Sequence, residues 1–186
     1  QLKVDLYRKY KVEAGAWQAG AVAPDTGFIS GRYAMILSGP WNLKRFKDAK
    51  LPFGVTLIPK GPHGTSTNVG GTNMVVFRTS KEPEEAYKFL EHLVSPKVQK
   101  YWAEALSQIP VNLKAYPLVD TSELPELGVF MEQMKTAVAR PPVVDYDELE
   151  MVMNAEMYAA LSGQKDVEGA LRDAVKEINE RVLSFE

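Results

Sequence analysis

Apolar positions change their rhythm near the middle of the chain. The first part carries short continuous apolar runs, each ended by Gly or Pro, and the second carries runs spaced three to four residues apart. Leu6, Tyr7 and Tyr10 predict a short helix over Val4 to Tyr10, followed by a Gly/Ala/Pro-rich loop. Phe28 and Ile29 close a helical turn that Gly31 ends. Three runs then predict buried strands: Tyr33 to Leu37, Phe53 to Ile58 and Thr72 to Phe77. Between the first two, residues 41 to 48 fit a short helix with Leu43 and Phe46 inward. Lys60 to Asn68 reads as an exposed loop.

Beyond residue 80 the pattern is helical. Ala86, Phe89, Leu90 and Leu93 share one face, with Ser80 as expected N-cap. Ser95 and Pro96 open the next helix as cap and first residue. Further helices are predicted over Glu126 to Ala139, from Asp147 to Gly163, and over a final stretch carrying Val167, Leu171, Val175, Ile178 and Val182. Pro141 and Pro142 keep the intervening segment extended. The sum is an α/β pattern with few strands for its helices. Together with an opening that reads like a protein's interior, that suggests a piece of a longer chain whose sheet continues elsewhere.

Composition narrows the chemistry. The 186 residues carry a net charge of −2, which argues against a field made for nucleic acid or anionic membrane. There is no cysteine, which removes disulfides, thiolate metal sites and thiol nucleophiles. No apolar run approaches the roughly 20 residues of a membrane span. His63 and His92 stand in no metal-ligand spacing, and no nucleophile-elbow, P-loop or zincin motif occurs. Asp145, Asp147, Glu148 and Glu150 cluster where a helix begins. The macrodipole favours acidic residues there, and a glycosidase acid/base pair is the competing reading.

The stretch Gly39-Pro40-Trp41-Asn42 joins a predicted strand to a predicted helix. A tryptophan there is either core or a ligand platform. Strand ends facing a crevice bind ligands in open α/β sheets, and an indole beside amide and N–H donors suits a sugar ring. The motifs F-x-x-G-R-Y-A-M-x-x-x-G-P-W, F-G-V-T-L-I-P-K-G-P, G-G-T-N-M-V-V, S-K-x-P-E-E-A-Y-K-F-L-E-H-L-V-S-P-K-V-Q-K-Y-W and Q-I-P-V-N occur in this order. In that order the sequence resembles the C-terminal half of extracellular solute-binding proteins of ABC importers, the sugar-binding group that includes maltose-binding protein. The resemblance runs from about Leu6 to Phe185.

It implies part of a two-lobed, type II periplasmic-binding-protein-like α/β fold: residues 1–71 and 126–186 in the second lobe, and 72–125 crossing to the first. Gly31 to Pro59 and Pro141 to Phe185 fall within the second-lobe parts. It implies no enzyme and no cofactor, and a periplasmic or extracellular location, lipid-anchored in the full-length protein. The partners would be a carbohydrate, the membrane permease subunits of the transporter and the missing first lobe. Trp41 matches the family's sugar-stacking tryptophan, with Gly39 and Asn42 beside it. Gly70 and Gly71 match the double glycine near the lobe crossing, and Tyr146 and Arg140 are further ligand candidates. Without the first lobe, the Met74 to Phe77 strand and the Phe89, Leu90, Leu93 and Trp102 face need cover. The expectation is that they fold back on the second-lobe sheet or pair with another copy by segment exchange. A glycoside hydrolase using the Asp145 to Glu150 carboxylates and a self-associating fragment without ligand are the alternatives.

Overall fold

A computed structural model describes residues 1–184. Phe185, the last residue of the family resemblance, lies outside the described residues. In chain order the elements are α1 (Leu2–Val4, continuing as a π-helical turn over Asp5–Lys9), α2 (Pro24–Ile29), α3 (Leu43–Asp48), β1 (Thr67–Val69), α4 (Pro83–Leu93), α5 (Pro96–Leu106), α6 (Pro125–Gln133), β2 (Ala137–Ala139), α7 (Tyr146–Ser162) and α8 (Val167–Ile178). The described chain forms two compact units. One contains Gln1–Ile36 and the described residues from Pro141 onward; the other is Leu37–Arg140.

In the first unit α7 packs on α8, burying Val152, Ala159, Ala160, Leu161, Ala170 and Ala174. Asp166 caps α8 by accepting from the Gly169 N–H. Lys165 Nζ donates to both carboxylate oxygens of Glu156 at 2.8 Å and to Asp173 Oδ2 at 2.6 Å, which ties the two helices together. Gly163 ends α7 at φ +82°, a conformation that favours glycine. The Arg8 guanidinium lies against its Cα, where a Cβ would collide. Tyr33 folds its ring over Gly27 and donates its hydroxyl to the Val22 carbonyl.

In the second unit Leu43, Ala103 and Leu127 form the buried centre, with Phe53, Val55, Ile109, Val119, Leu124, Phe130 and Met131 packed around it. Both inward residues expected of the short helix, Leu43 and Phe46, are buried, and Phe46 meets Phe53 edge to face at 5.5 Å. β1 and β2 pair in parallel, Thr67 with Ala137, Asn68 with Val138 and Val69 with Ala139.

The helices α4, α5, α7 and α8 form where expected, while the strands do not. The expected apolar faces are only partly covered, with Phe89, Leu171 and Val175 more than half exposed and α8 burying Ala170 and Ala174 instead. Tyr33 to Leu37, Phe53 to Ile58 and Thr72 to Phe77 carry no ladder among the described residues. A strand exists only with another strand paired alongside it, and among the described residues no strand ladder includes these runs. Met35 and Leu37 are 88% and 84% exposed, so the first run is not a buried strand. Phe53 to Ile58 keeps part of its alternation, with Phe53 and Val55 turned to the core. The actual β1 begins inside the stretch expected to be loop and ends one residue beyond it. The expected helix over Glu126 to Ala139 stops at Gln133, passes through a 3-10 turn and ends as β2. Glu82, not Ser80, is the N-cap of α4, because Pro83 takes the first helical position. Met74 to Phe77 does not fold back onto a sheet: it is unpaired among the described residues, and Phe77 is 75% exposed.

Candidate ligand-binding site

The Gly39–Asn42 corner is built from its glycine outward. Gly39 and Pro40 are buried, and Pro40 opens a 3-10 turn that runs directly into α3. The Asn42 N–H donates to the Gly39 carbonyl at 3.3 Å. Leu43 and Phe46 anchor the next turn in the core, which leaves Trp41 facing solvent, 64% exposed. Its indole lies across the Gly39 Cα, and a Cβ there would collide with the six-membered ring. Gly39 has φ −112°, open to any residue, so glycine is required for space and not for backbone freedom. Asn42 Nδ2 donates to Ser38 Oγ at 3.0 Å, which orients the amide beside the ring. The result is a flat apolar platform on a fixed turn with an amide at its edge. That suits a ligand with an apolar face and a polar rim.

The parallel register makes a second group. Val69 stands opposite Ala139, so the next residues, Gly70 and Arg140, leave the two strands side by side at their carboxyl ends. A Cβ at Gly70 or Gly71 would meet nothing within 4 Å, so the backbone there is open to approach. Carboxyl ends of parallel strands are the usual ligand-facing end of such sheets. The Trp41 turn packs on α6, whose continuation leads into β2. Tyr146 is the first residue of α7 and belongs to the other unit. The structure therefore gathers Gly39, Trp41 and Asn42 in one turn and Gly70, Gly71 and Arg140 at one sheet end, while Tyr146 stands apart in the chain's division.

Two of the four clustered carboxylates are engaged at the helix. Asp145 caps α7 by accepting from the Glu148 N–H at 2.9 Å, and Glu148 pairs with Arg181. Among the described residues no group of three or more His, Asp or Glu side chains is arranged to hold a metal ion. Displaced protonation occurs in structural contacts. Hydrogen bonds from Lys165 hold Asp173 below the ordinary carboxylate range, and those to Asp173 and Glu156 raise Lys165. Glu104 is lowered by its bonds from Lys100 and the Asp120 N–H.

Two features escaped the sequence reading. Tyr7, Trp17 and Tyr158 form an edge-to-face chain with centroid spacings of 5.1 and 5.2 Å, and Trp17 Nε1 donates to Glu13 at 3.1 Å. Nothing local in the Gly/Ala-rich stretch around Trp17 announces a partner on α7. The other is Gln133, a buried polar residue inside the expected apolar helix.

Residues 3–129 match the family model of bacterial extracellular solute-binding proteins. The chain belongs to this family. Among curated relatives of this solute-binding protein, the maltodextrin-binding protein MdxE of Bacillus subtilis is 29% identical over 157 residues, covering 83% of this chain and 38% of the relative. A maltooligosaccharide ABC transporter solute-binding lipoprotein of Streptococcus pneumoniae is 31% identical over 159 residues, covering 84% of this chain and 38% of the relative. The crystal structure of MalX from Streptococcus pneumoniae in complex with maltopentaose superposes at a TM-score of 0.83 and 28% identity, over 96% of this chain and 48% of that one. The chain thus spans about 38% of the length of these curated relatives. Its fold is a partial type II, periplasmic-binding-protein-like α/β fold, and the family is an extracellular one.

Proposed function

We propose that this chain is part of the solute receptor of an ABC importer and contributes one side of an oligosaccharide site, with maltooligosaccharides as the leading solute class. The observation that carries this is Trp41: an exposed indole held flat by Gly39, on a turn anchored by Leu43 and Phe46. A pyranose would stack its C–H face on the indole. Asn42, the open Gly70-Gly71 backbone and Arg140 would meet its hydroxyls. The named relatives bind maltodextrin or maltooligosaccharide, which supports the solute class. The permease subunits of the importer are the proposed membrane partners, and a lipid anchor in the full-length protein follows the lipoprotein relative. Residues 72–125 are proposed as the crossing segment and 1–71 with 126–186 as second-lobe segments. The proposed role is binding without turnover of glycosides, supported by the solute-binding family and by the engagement of Asp145 as the α7 cap and of Glu148 with Arg181.

Calorimetry of the full-length receptor against maltose, maltotriose and maltopentaose tests the reading, with galacto- and manno-oligosaccharides as controls. Binding without turnover, lost in Trp41→Ala, is expected. Binding unchanged by Trp41→Ala, or hydrolysis abolished by Glu148→Gln, would overturn it.

Val75, Phe77 and Phe89 are exposed and line, with Met74 and Leu90, a cleft of about 410 Å³. The proposed occupant is the rest of the receptor, because the curated relatives exceed this chain by more than half their length. Light scattering after size-exclusion chromatography should find the full-length receptor monomeric and the 186-residue chain self-associating, by segment exchange, unless Phe77→Ser and Phe89→Ser are introduced. A monomeric, fully folded short chain would refute the need for cover.

A further inference from the structure

Gln133 is nearly buried at the end of α6 and spends its whole amide on three other segments. Its Oε1 accepts from the Ile58 N–H at 2.8 Å. Its Nε2 donates to Thr136 Oγ1 at 2.8 Å and to Thr65 Oγ1 at 3.4 Å. Thr65 Oγ1 in turn donates to the Ile58 carbonyl at 2.6 Å, so the Ile58 residue is held at both its N–H and its C=O. Thr136 Oγ1 donates back to the Gln133 carbonyl at 3.0 Å.

The location of this hub gives it a consequence. Thr65 lies two residues before β1, and Thr136 immediately before β2. The hub therefore ties together the entry ends of both strands. Each strand has three residues, and a two-stranded pair of that length has little stability of its own. Its alignment depends on what fixes its base. The opposite end, roughly 10 Å away at about 3.3 Å per residue, is where Gly70 and Arg140 emerge side by side. A slip of one residue at the base would turn the slipped strand's side chains to the other face and separate the Gly70 backbone from Arg140.

We propose that Gln133 is a positioning residue for the solute site: its amide, bridging Ile58, Thr65 and Thr136, sets the β1–β2 register that presents Gly70, Gly71 and Arg140 together. This rests on the oligosaccharide-binding reading above. It does not touch solute and acts only through the two strands.

The test uses the full-length receptor and Gln133→Met, which keeps length and volume but removes the amide. Without ligand, hydrogen exchange at the Val69, Gly70, Ala139 and Arg140 amides should rise at least ~10-fold, the scale of one or two lost hydrogen bonds. Exchange in α8 should stay unchanged. With maltotriose, calorimetry should show affinity reduced by about tenfold on the same scale. Thr65→Val, which removes only the hydroxyl, should reproduce the local exchange effect and serves if Gln133→Met does not fold. Unchanged exchange at the strand ends, or an equal rise in α8, would overturn the inference, as would unaltered maltotriose affinity in a variant whose wild type binds. A wild-type receptor that binds no sugar would instead refute the solute reading, while the exchange measurement still judges the role of Gln133 in the sheet.

Discussion

Leu43→Ala and Trp41→Ala change neighbours in one turn whose burial is opposite. Leu43 is 1% exposed at the centre of the second unit's core, against Ala103 and Leu127. Removing its isobutyl group loses the transfer energy and leaves a cavity. The partly exposed Phe53, Val55 and Ile109 around it can relax inward, which keeps the cost near the lower end of the usual range, about 3 kcal/mol. Trp41 already shows about two-thirds of its surface to solvent. Only the contact with Gly39 and the turn is lost, so truncation should cost about 1 to 1.5 kcal/mol, a third of the ~3–5 kcal/mol of a buried tryptophan. Urea unfolding followed by far-UV circular dichroism reads both, with fluorescence of the remaining tryptophans testing coincident transitions. A Trp41→Ala cost of 3 kcal/mol or more, on the scale of a buried ring, would show the indole to be part of the core. It would also remove the reason for treating it as a platform. A Leu43→Ala cost below about 1 kcal/mol would show that the turn is not anchored as described.

Gly163→Ala should destabilise the first unit by more than about 1 kcal/mol in thermal unfolding, because it forces a Cβ into a positive-φ position against the Arg8 guanidinium. Asp145→Ala should cost about 1 kcal/mol through loss of the α7 cap. A glycosidase assay should detect no activity before or after that change. Asp173 is held below the ordinary carboxylate range by Lys165, so its contribution is complete above its unfolded pKa. That contribution should be lost as pH falls through the lowered folded value. Asp173→Asn should flatten the acid limb of a stability–pH profile, and an unchanged limb would contradict the Lys165 clamp.

What could be read in advance follows the range of each interaction. The extents of α7 and α8 were legible because helical spacing and the closing Gly163 are local in sequence, whereas the Asp166 cap and the burial of Ala170 and Ala174 in place of Leu171 and Val175 were not read. The three expected strands were misjudged because apolarity marks a segment that seeks cover, while a ladder needs a partner that no local pattern names. β1 formed instead at Thr67–Val69, where Ala137–Ala139 supplies one. At the candidate site the Gly-Pro corner and the inward Leu43 and Phe46 were legible, since Pro fixes the turn and the spacing fixes the face. The reason for Gly39 was not, because it depends on where the neighbouring indole folds. Nor was the placing of Gly70 beside Arg140, which follows the parallel register of the strands that precede them. Gln133 was hidden for the same cause: its partners Ile58 and Thr65 are remote in sequence.

The most direct test of the account is a crystal structure of the full-length receptor grown with maltotriose. A glucosyl ring stacked on the Trp41 indole, with hydroxyls within hydrogen-bond reach of Asn42, the Gly70-Gly71 backbone or Arg140, is the predicted result. A maltotriose bound elsewhere, with the Trp41 ring still facing solvent or buried against protein, would contradict it.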